Sequence, residues 1–312
     1  MKHLLYIFIA SLSLAILLPA CQSSRSGKAQ AGKTAPTATV SSGTLDIYPD
    51  FASEIVPPRT VSVWKPSGYH SGDSCSVIYM HDGQMLFDEK VTWNHREWTV
   101  DEVLADLLEK EQIPPVIVVG IDNSPDRLNE YFPDKAGLYV PGFDMSTDTT
   151  EHCGDAYLRF LVTEVKPFID RQYSPLNDPE HTFVLGSSMG GLISLYALCE
   201  YPEDFGGAVC MSSHLSMGHL QLEGRNEQWA EGFRHYLADR LPPANSRRIY
   251  MDRGTIGIDE PYAPYQRQVD SLFAALGWDE SHYQSLIFEG DEHNETCWGA
   301  RLATPIRFVL GK

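Results

Sequence analysis

What the chain lacks narrows its chemistry first. Its 312 residues include six cysteines, with no C-x-x-C pair and no His-x-x-x-His spacing, so neither a thiol-redox motif nor a zinc site is indicated. Basic side chains are scarce: 24 Lys and Arg stand against 42 Asp and Glu, a formal charge of −18. With no basic stripe and no aromatic-basic interleaving, such a surface repels polyanions, and nucleic acid is excluded as a partner. No internal repeat suggests a solenoid. The amino-terminal apolar stretch Leu4–Leu18 falls short of the roughly 20 residues a membrane span needs.

That stretch has another reading. Lys2 precedes it and Leu18-Pro19-Ala20-Cys21 follows, a pattern that resembles a bacterial lipoprotein signal. It implies cleavage before Cys21, with lipid on its sulfur and on the new amino terminus, and a cell-envelope location with membrane contact through the lipid alone. Residues 21–43, rich in Ser, Ala, Gly, Lys and Thr and without aromatics, read as a flexible tether. The folded domain is expected at 44–312. Loss of the signal removes one lysine and no acid, so 23 basic and 42 acidic residues remain, a charge of 23 − 42 = −19. Of the five cysteines after Cys21, at least one is left without a partner in the chain, and Cys199 and Cys210 lie in apolar segments that suit small core residues.

Short β-branched and aromatic runs alternate with longer helical patterns. Thr60–Pro66, Cys75–Met80, Pro115–Ile121, Thr182–Leu185, Gly207–Met211, Arg248–Met251 and Gln284–Phe288 read as strands. Glu97–Lys110, Asp155–Tyr173, Met189–Tyr201, Asn226–Arg240, Tyr262–Leu276 and Thr296–Leu310 read as helices. Almost wholly apolar strands such as "VIVVGI" suit the middle of a sheet covered on both faces. The alternation predicts one α/β domain with a mainly parallel central sheet, helices on both faces and a site outside the carboxyl ends of the strands.

Within this order, "HTFVLGSSMGGLISLYALCEYP" is a strand, a glycine-flanked turn and a helix carrying Gly186-Ser187-Ser188-Met189-Gly190. That is the context of a nucleophile elbow, in which a sharp turn strains the middle residue and needs small neighbours. Ser188 is the middle residue, and Ser187 is read as a structural serine. A serine hydroxyl needs a base, itself oriented by a carboxylate. Among the histidines after Ser188, His293 follows the last predicted strand on a loop that would sit at the carboxyl face. His282 lies at the other end of that strand, and His214 remains a candidate substrate contact. Asp252, Asp259 and Glu260 follow the strand "RRIYM"; a loop beyond the strand end reaches the next loop better, which makes Asp259 the first choice.

The pieces "VSVWKPSGY", "IYMHDGQMLFD", "WTVDEVL", "PVIVVGIDNSPDRLNEYFP", "GSSMGG", "MDRGTIGIDEPYAPYQ" and "HNETCWGARL", in order from about residue 58 to 310, resemble the esterases related to enterochelin esterase, S-formylglutathione hydrolase and the feruloyl esterases. The resemblance implies an α/β-hydrolase fold and ester hydrolysis, with Ser188 and His293 in the matching positions and no metal or cofactor. Tetrahedral intermediates need two convergent N–H donors, assigned here to the backbones of Met189 and Gln84. Where members commonly read D-G-Q-N, this chain has Met85.

Two long connections, Phe132–Cys153 and Ser213–Gly232, carry aromatics that could face substrate; with Tyr131 the set is Phe132, Tyr139, Phe143 and Trp229. The expected function is hydrolysis of a small-molecule or oligosaccharide ester, preferably an acyl ester of a carbohydrate. The rivals are a siderophore trilactone esterase, an acyltransferase and a non-catalytic binding lipoprotein on the same scaffold.

Overall fold

The computed structural model describes residues 37–142, 151–216 and 226–311. The signal segment, Cys21 and Phe143 lie outside the described residues. Among the described residues, no helix is long and apolar enough to cross a membrane.

Eight strands form one sheet in the order β1-β2-β4-β3-β5-β6-β7-β8. They are β1 Thr44–Phe51, β2 Arg59–Lys65, β3 Ser76–His81, β4 Val116–Ile121, β5 Thr182–Ser187, β6 Gly207–Met211, β7 Arg248–Arg253 and β8 Tyr283–Ile287. β1 pairs antiparallel with β2 and β2 antiparallel with β4, while every pairing from β4 to β8 is parallel. The α-helices are α1 Val100–Glu109, α2 Arg127–Glu130, α3 Gly154–Phe160, α4 Lys166–Tyr173, α5 Met189–Glu200, α6 Asn226–Arg240, α7 Ala263–Ala275, α8 Glu295–Arg301 and α9 Ala303–Leu310.

The period-two alternation of the strands divides the core into two layers. Val77, Tyr79, Ile117, Val119, Val184, Ala208, Cys210, Ile249 and Met251 face one layer, packed against helices α3 to α7. Ile78, Met80, Val116, Val118, Phe183, Leu185, Val209, Met211 and Tyr250 face the other, packed against α1, α8 and α9. Helix α5, "MGGLISLYALCE", is buried nearly all round. A helix without a polar face belongs inside a domain, and α5 lies against β5, β6 and α6. All five described cysteines are free, with Cys199 and Cys210 buried in the core as expected.

Three expectations are corrected. Residues 37–43, assigned to the tether by composition, are docked: Thr39 donates through its backbone and hydroxyl to Asp88 at 3.0 and 2.8 Å, Ser41 N donates to Asp101 at 2.7 Å, and Val40 packs on the core. The single helix expected over 155–173 is α3 and α4 joined by a π-helical stretch, Leu161–Val165. Strand β1 is additional. Its half-exposed sequence TLDIYPDF breaks the alternation at Pro49 and at Asp50, whose φ is 51°. Proline is tolerated there because β1 is an edge strand.

Candidate active site

Turns at the carboxyl ends of the parallel strands bring the predicted residues together. Ser188 joins β5 to α5 with φ 57° and ψ −122°, a region that costs a non-glycine residue roughly 1–3 kcal/mol and persists only when its surroundings force it. They do: a Cβ on Gly186 would lie 2.6 Å from the Gly190 carbonyl, and one on Gly191 would lie 2.2 Å from Ser213 Oγ. Ser188 N donates to Met211 O at 2.9 Å, tying the turn to β6. The Ser188 side is half-buried and open to a cavity, whereas Ser187 is buried at the end of β5.

His293 and Asp259 meet. His293 Nδ1 lies 2.5 Å from Asp259 Oδ1, and the Asp259 side chain has no exposure. Asp259 Oδ2 accepts from Gly254 N and from Ser212 Oγ, each at 2.6 Å. Burial alone would raise the Asp259 carboxyl; hydrogen bonds from His293 and Ser212, the His293 charge and the Gly254 N–H together hold it below the ordinary value. Ser212 is itself fixed, with φ 44° and its oxygen accepting from Trp298 Nε1 and Arg301 Nη2 at 3.0 Å each. The Trp298 ring stands edge-on to His293, with centroids 4.9 Å apart.

The other acid candidates and His282 are elsewhere, whereas the His214 backbone N–H donates to Ser188 O at 3.2 Å. Asp252 is committed to Arg301, with contacts of 2.9 and 3.1 Å, and Glu260 is exposed. His282 pairs with Asp279 at 2.8 Å near the surface, and His214 Nδ1 is 2.7 Å from the Tyr262 hydroxyl.

Ser188 and His293 line one cavity of about 530 Å³. Met189 opens α5, and the first N–H groups of a helix have no acceptor within it. Gln84 is the middle residue of the 3-10 turn Gly83–Met85, and its side-chain oxygen accepts from Asn123 N at 3.1 Å. Met85 lies on the cavity wall. Before that turn, Asp82 adopts φ 59° and receives Arg127 at 2.6 and 2.7 Å and Asn123 Nδ2 at 2.5 Å. Burial would raise the Asp82 carboxyl, but the Arg127 charge and these hydrogen bonds hold it low. Burial also pushes His81 down to about 3, which leaves it neutral beside the pair.

Sequence reading misses this Asp82–Arg127 pair, because residues 45 positions apart carry no local pattern that joins them. It also misses the aromatic wall. Trp93, 79% exposed, lines the cavity with the largely buried Trp98 and Trp298, whereas Tyr131, Phe132 and Trp229 are buried away from its lining and Tyr139 stacks edge-on against Tyr236. Those loop aromatics pack their connections onto the body of the domain.

Comparison with known proteins gives the family and the fold. The family described as "Putative esterase" matches residues 53–308. The uncharacterized protein YbbA of Bacillus subtilis is 28% identical over 264 residues, spanning 81% of this chain and 93% of that protein. A siderophore enterobactin esterase of Emericella nidulans is 32% identical over 226 residues, spanning 66% of this chain and 69% of its own. A ferulic acid esterase structure superposes with a TM-score of 0.60 at 17% identity, over 86% of this chain and 97% of that one. With the family's match running from β1's successor loop to the last helix, over an α/β-hydrolase sheet, this chain belongs to the esterase family.

Proposed function

We propose that this protein hydrolyses carboxylic esters through an acyl-enzyme on Ser188. Ser188 Oγ attacks the acyl carbon and His293 Nε2 takes its proton. Asp259 holds Nδ1–H, which keeps Nε2 free to accept and stabilises the imidazolium that forms. The backbone N–H groups of Gln84 and Met189 receive the oxyanion. His293 then returns the proton to the leaving alkoxide, and water repeats the sequence to release the acid. The observation that carries the reading is the 2.5 Å contact between His293 and the buried Asp259 on the cavity that the strained Ser188 opens into.

For the substrate we propose an acyl ester of a carbohydrate, at the cell envelope where lipid on Cys21 would hold the protein. Trp93, 79% exposed, offers a flat apolar face, and Asn94, Asn123 and Glu295 offer hydrogen bonds around the same cavity. A second reading, a siderophore lactone, is favoured by the name of the fungal relative and by Arg96 on the cavity wall. Arg127 adds little to it, since Asp82 neutralises that charge.

Comparison of kcat/KM on acetylated xylo-oligosaccharide, methyl ferulate and enterobactin tests the choice. The carbohydrate reading expects the oligosaccharide to lead. A preference for enterobactin above about 100-fold, roughly 2.7 kcal/mol of transition-state binding, would replace it. Transfer to an added alcohol in place of water marks an acyltransferase, and inactivity on every ester marks a binding protein.

A further inference from the structure

The Asp82–Arg127 pair stands between the two turns that ester chemistry needs. On one side Asp82 precedes the 3-10 turn Gly83–Met85, and its carbonyl accepts from Met85 N at 2.9 Å, which closes the turn that carries Gln84. On the other side is the elbow. Arg127 Nη2 donates to Asp82 Oδ2 at 2.7 Å and lies 3.5 Å from Ser187 O, and a Cβ on Gly190 would come within 3.3 Å of Asp82 Oδ2. Asn123 ties the same turn twice, through Nδ2 to Asp82 Oδ1 at 2.5 Å and through its backbone N–H to Gln84 Oε1 at 3.1 Å. The Asp82 N–H donates to the Tyr131 hydroxyl at 3.2 Å. A Cβ on Gly83 would lie 2.6 Å from Ile121 N, so the turn is pressed onto the end of β4.

We infer that Asp82 and Arg127 are positioning residues that lock the Gln84 turn to the Ser188 elbow and so set the spacing of the Gln84 and Met189 N–H donors. The inference rests on Ser188 being the nucleophile and on those two groups receiving the oxyanion. The donors follow different strands, β3 and β5, whose pairing ends at Met80 and Leu185. Past that point the guanidinium carries the connection, bidentate on Asp82 and reaching Ser187 O. Asp82 holds φ 59°, which Asp and Asn tolerate better than most residues, but the position makes a second demand on the side chain. Donors from Asn123 and Arg127 converge on both carboxylate oxygens, and a planar fork matches a carboxylate in two parallel bonds. Charge is a separate matter. A lone carboxylate here would repel an oxyanion, and Arg127 cancels it, so the pair couples the two turns while adding no net charge beside the reaction.

Asp82→Asn and Arg127→Lys test this, because geometry and charge predict opposite signs for the first. Asparagine accepts the left-handed backbone but sets an NH2 against the Asn123 or Arg127 donors, which opens the clamp and leaves the guanidinium without its counter-charge. Charge alone would then favour the oxyanion and make the variant faster. The expected result is a kcat on p-nitrophenyl acetate about tenfold lower with KM within about twofold, part of the roughly 10²–10³ that loss of a whole oxyanion donor costs. Arg127→Lys keeps the charge but not the fork and should be slowed by a similar factor. The double variant should be no slower than the slower single, since both changes open one clamp. A trifluoromethyl ketone reads the oxyanion directly. The Ser188 oxygen adds to the ketone carbon, the hydroxyl proton passes to His293 and the ketone oxygen becomes the oxyanion, so the inhibition constant should weaken by the factor lost in kcat. An Asp82→Asn protein as fast as the parent or faster, losses that multiply in the double variant, a change confined to KM, or slower variants with the parental inhibition constant overturn the inference. So does a fall in thermal midpoint with no fall in kcat. If Asp82→Asn does not fold, Arg127→Lys decides, and its parental kcat would end the proposal. A parent that the ketone does not inhibit fails the nucleophile and oxyanion reading itself, whereas equal inhibition of parent and variants removes the positioning role alone.

Discussion

Asp259→Asn changes one atom type, and the surroundings of Asp259 dictate the consequence. The oxygen Oδ2 accepts from the Gly254 N–H at 2.6 Å and from the Ser212 hydroxyl at 2.6 Å. Ser212 cannot reverse its bond, because its oxygen already accepts from Trp298 and Arg301 and its one hydrogen goes to Asp259. An amide NH2 placed on that side would meet two donors in a site without water access. The asparagine oxygen therefore takes the Oδ2 position, and its NH2 faces His293 Nδ1. Nδ1 must then accept, the ring proton moves to Nε2, and Nε2 can no longer take the proton of Ser188. An equivalent loss of tautomer in a serine triad lowers kcat by about 10⁴, or roughly 5.4 kcal/mol. Initial rates on p-nitrophenyl acetate should show that fall with KM nearly unchanged, as for an interaction made mainly in the transition state. Glu260→Gln, at an exposed position, should match the parent. A folded Asp259→Asn protein with more than about a tenth of the parental kcat would refute the assignment of the acid.

Asp252→Asn removes the fully buried one of the two carboxylates that pair with Arg301, leaving the partly exposed Asp291; unfolding should show a loss of about 2 kcal/mol while kcat stays within a few-fold, and the opposite ranking would contradict the structural role. Burial, helped by Glu102, Asp101, Asp88 and Glu89, raises the Glu97 carboxyl to about 7. A raised carboxyl favours the folded state below its unfolded value of roughly 4.3 and loses that contribution as pH climbs through 7, so Glu97→Gln should gain stability over the parent between pH 5 and 8; a pH-independent difference in thermal midpoint would count against this. Cys21→Ser should abolish detergent partitioning or leave an unprocessed precursor, and normal processing with equal partitioning would dismiss the lipid anchor.

How much was legible depended on whether the cause was local. Seven strands announce themselves as apolar or alternating runs, because burial on one or both faces demands such residues. Strand β1 does not, since an edge strand with a proline and a left-handed aspartate needs no such run. The elbow was readable because its glycines answer a steric demand inside five residues. The reach of the loop favours Asp259 over Asp252, and Asp259 is the one that lies 2.5 Å from His293. The Asp82–Arg127 pair, the Ser212 bridge and the tryptophan wall join residues from separate strand ends, which only the sheet order brings together. The loop aromatics were misjudged for a related reason: long connections need anchors, and Phe132 and Trp229 pack against each other at 5.5 Å.

The central claim is that Ser188 is the nucleophile, and the most direct measurement combines rate with chemistry at that residue. Parent and Ser188→Ala proteins, starting at Thr37 so that the docked residues 37–43 are kept, are assayed on p-nitrophenyl acetate, and the parent is mapped by peptide mass after fluorophosphonate treatment. The account predicts a loss of the order of 10⁴ or more in the variant and a single adduct on Ser188. A folded Ser188→Ala protein at the parental rate, or an adduct on any other residue, would contradict it.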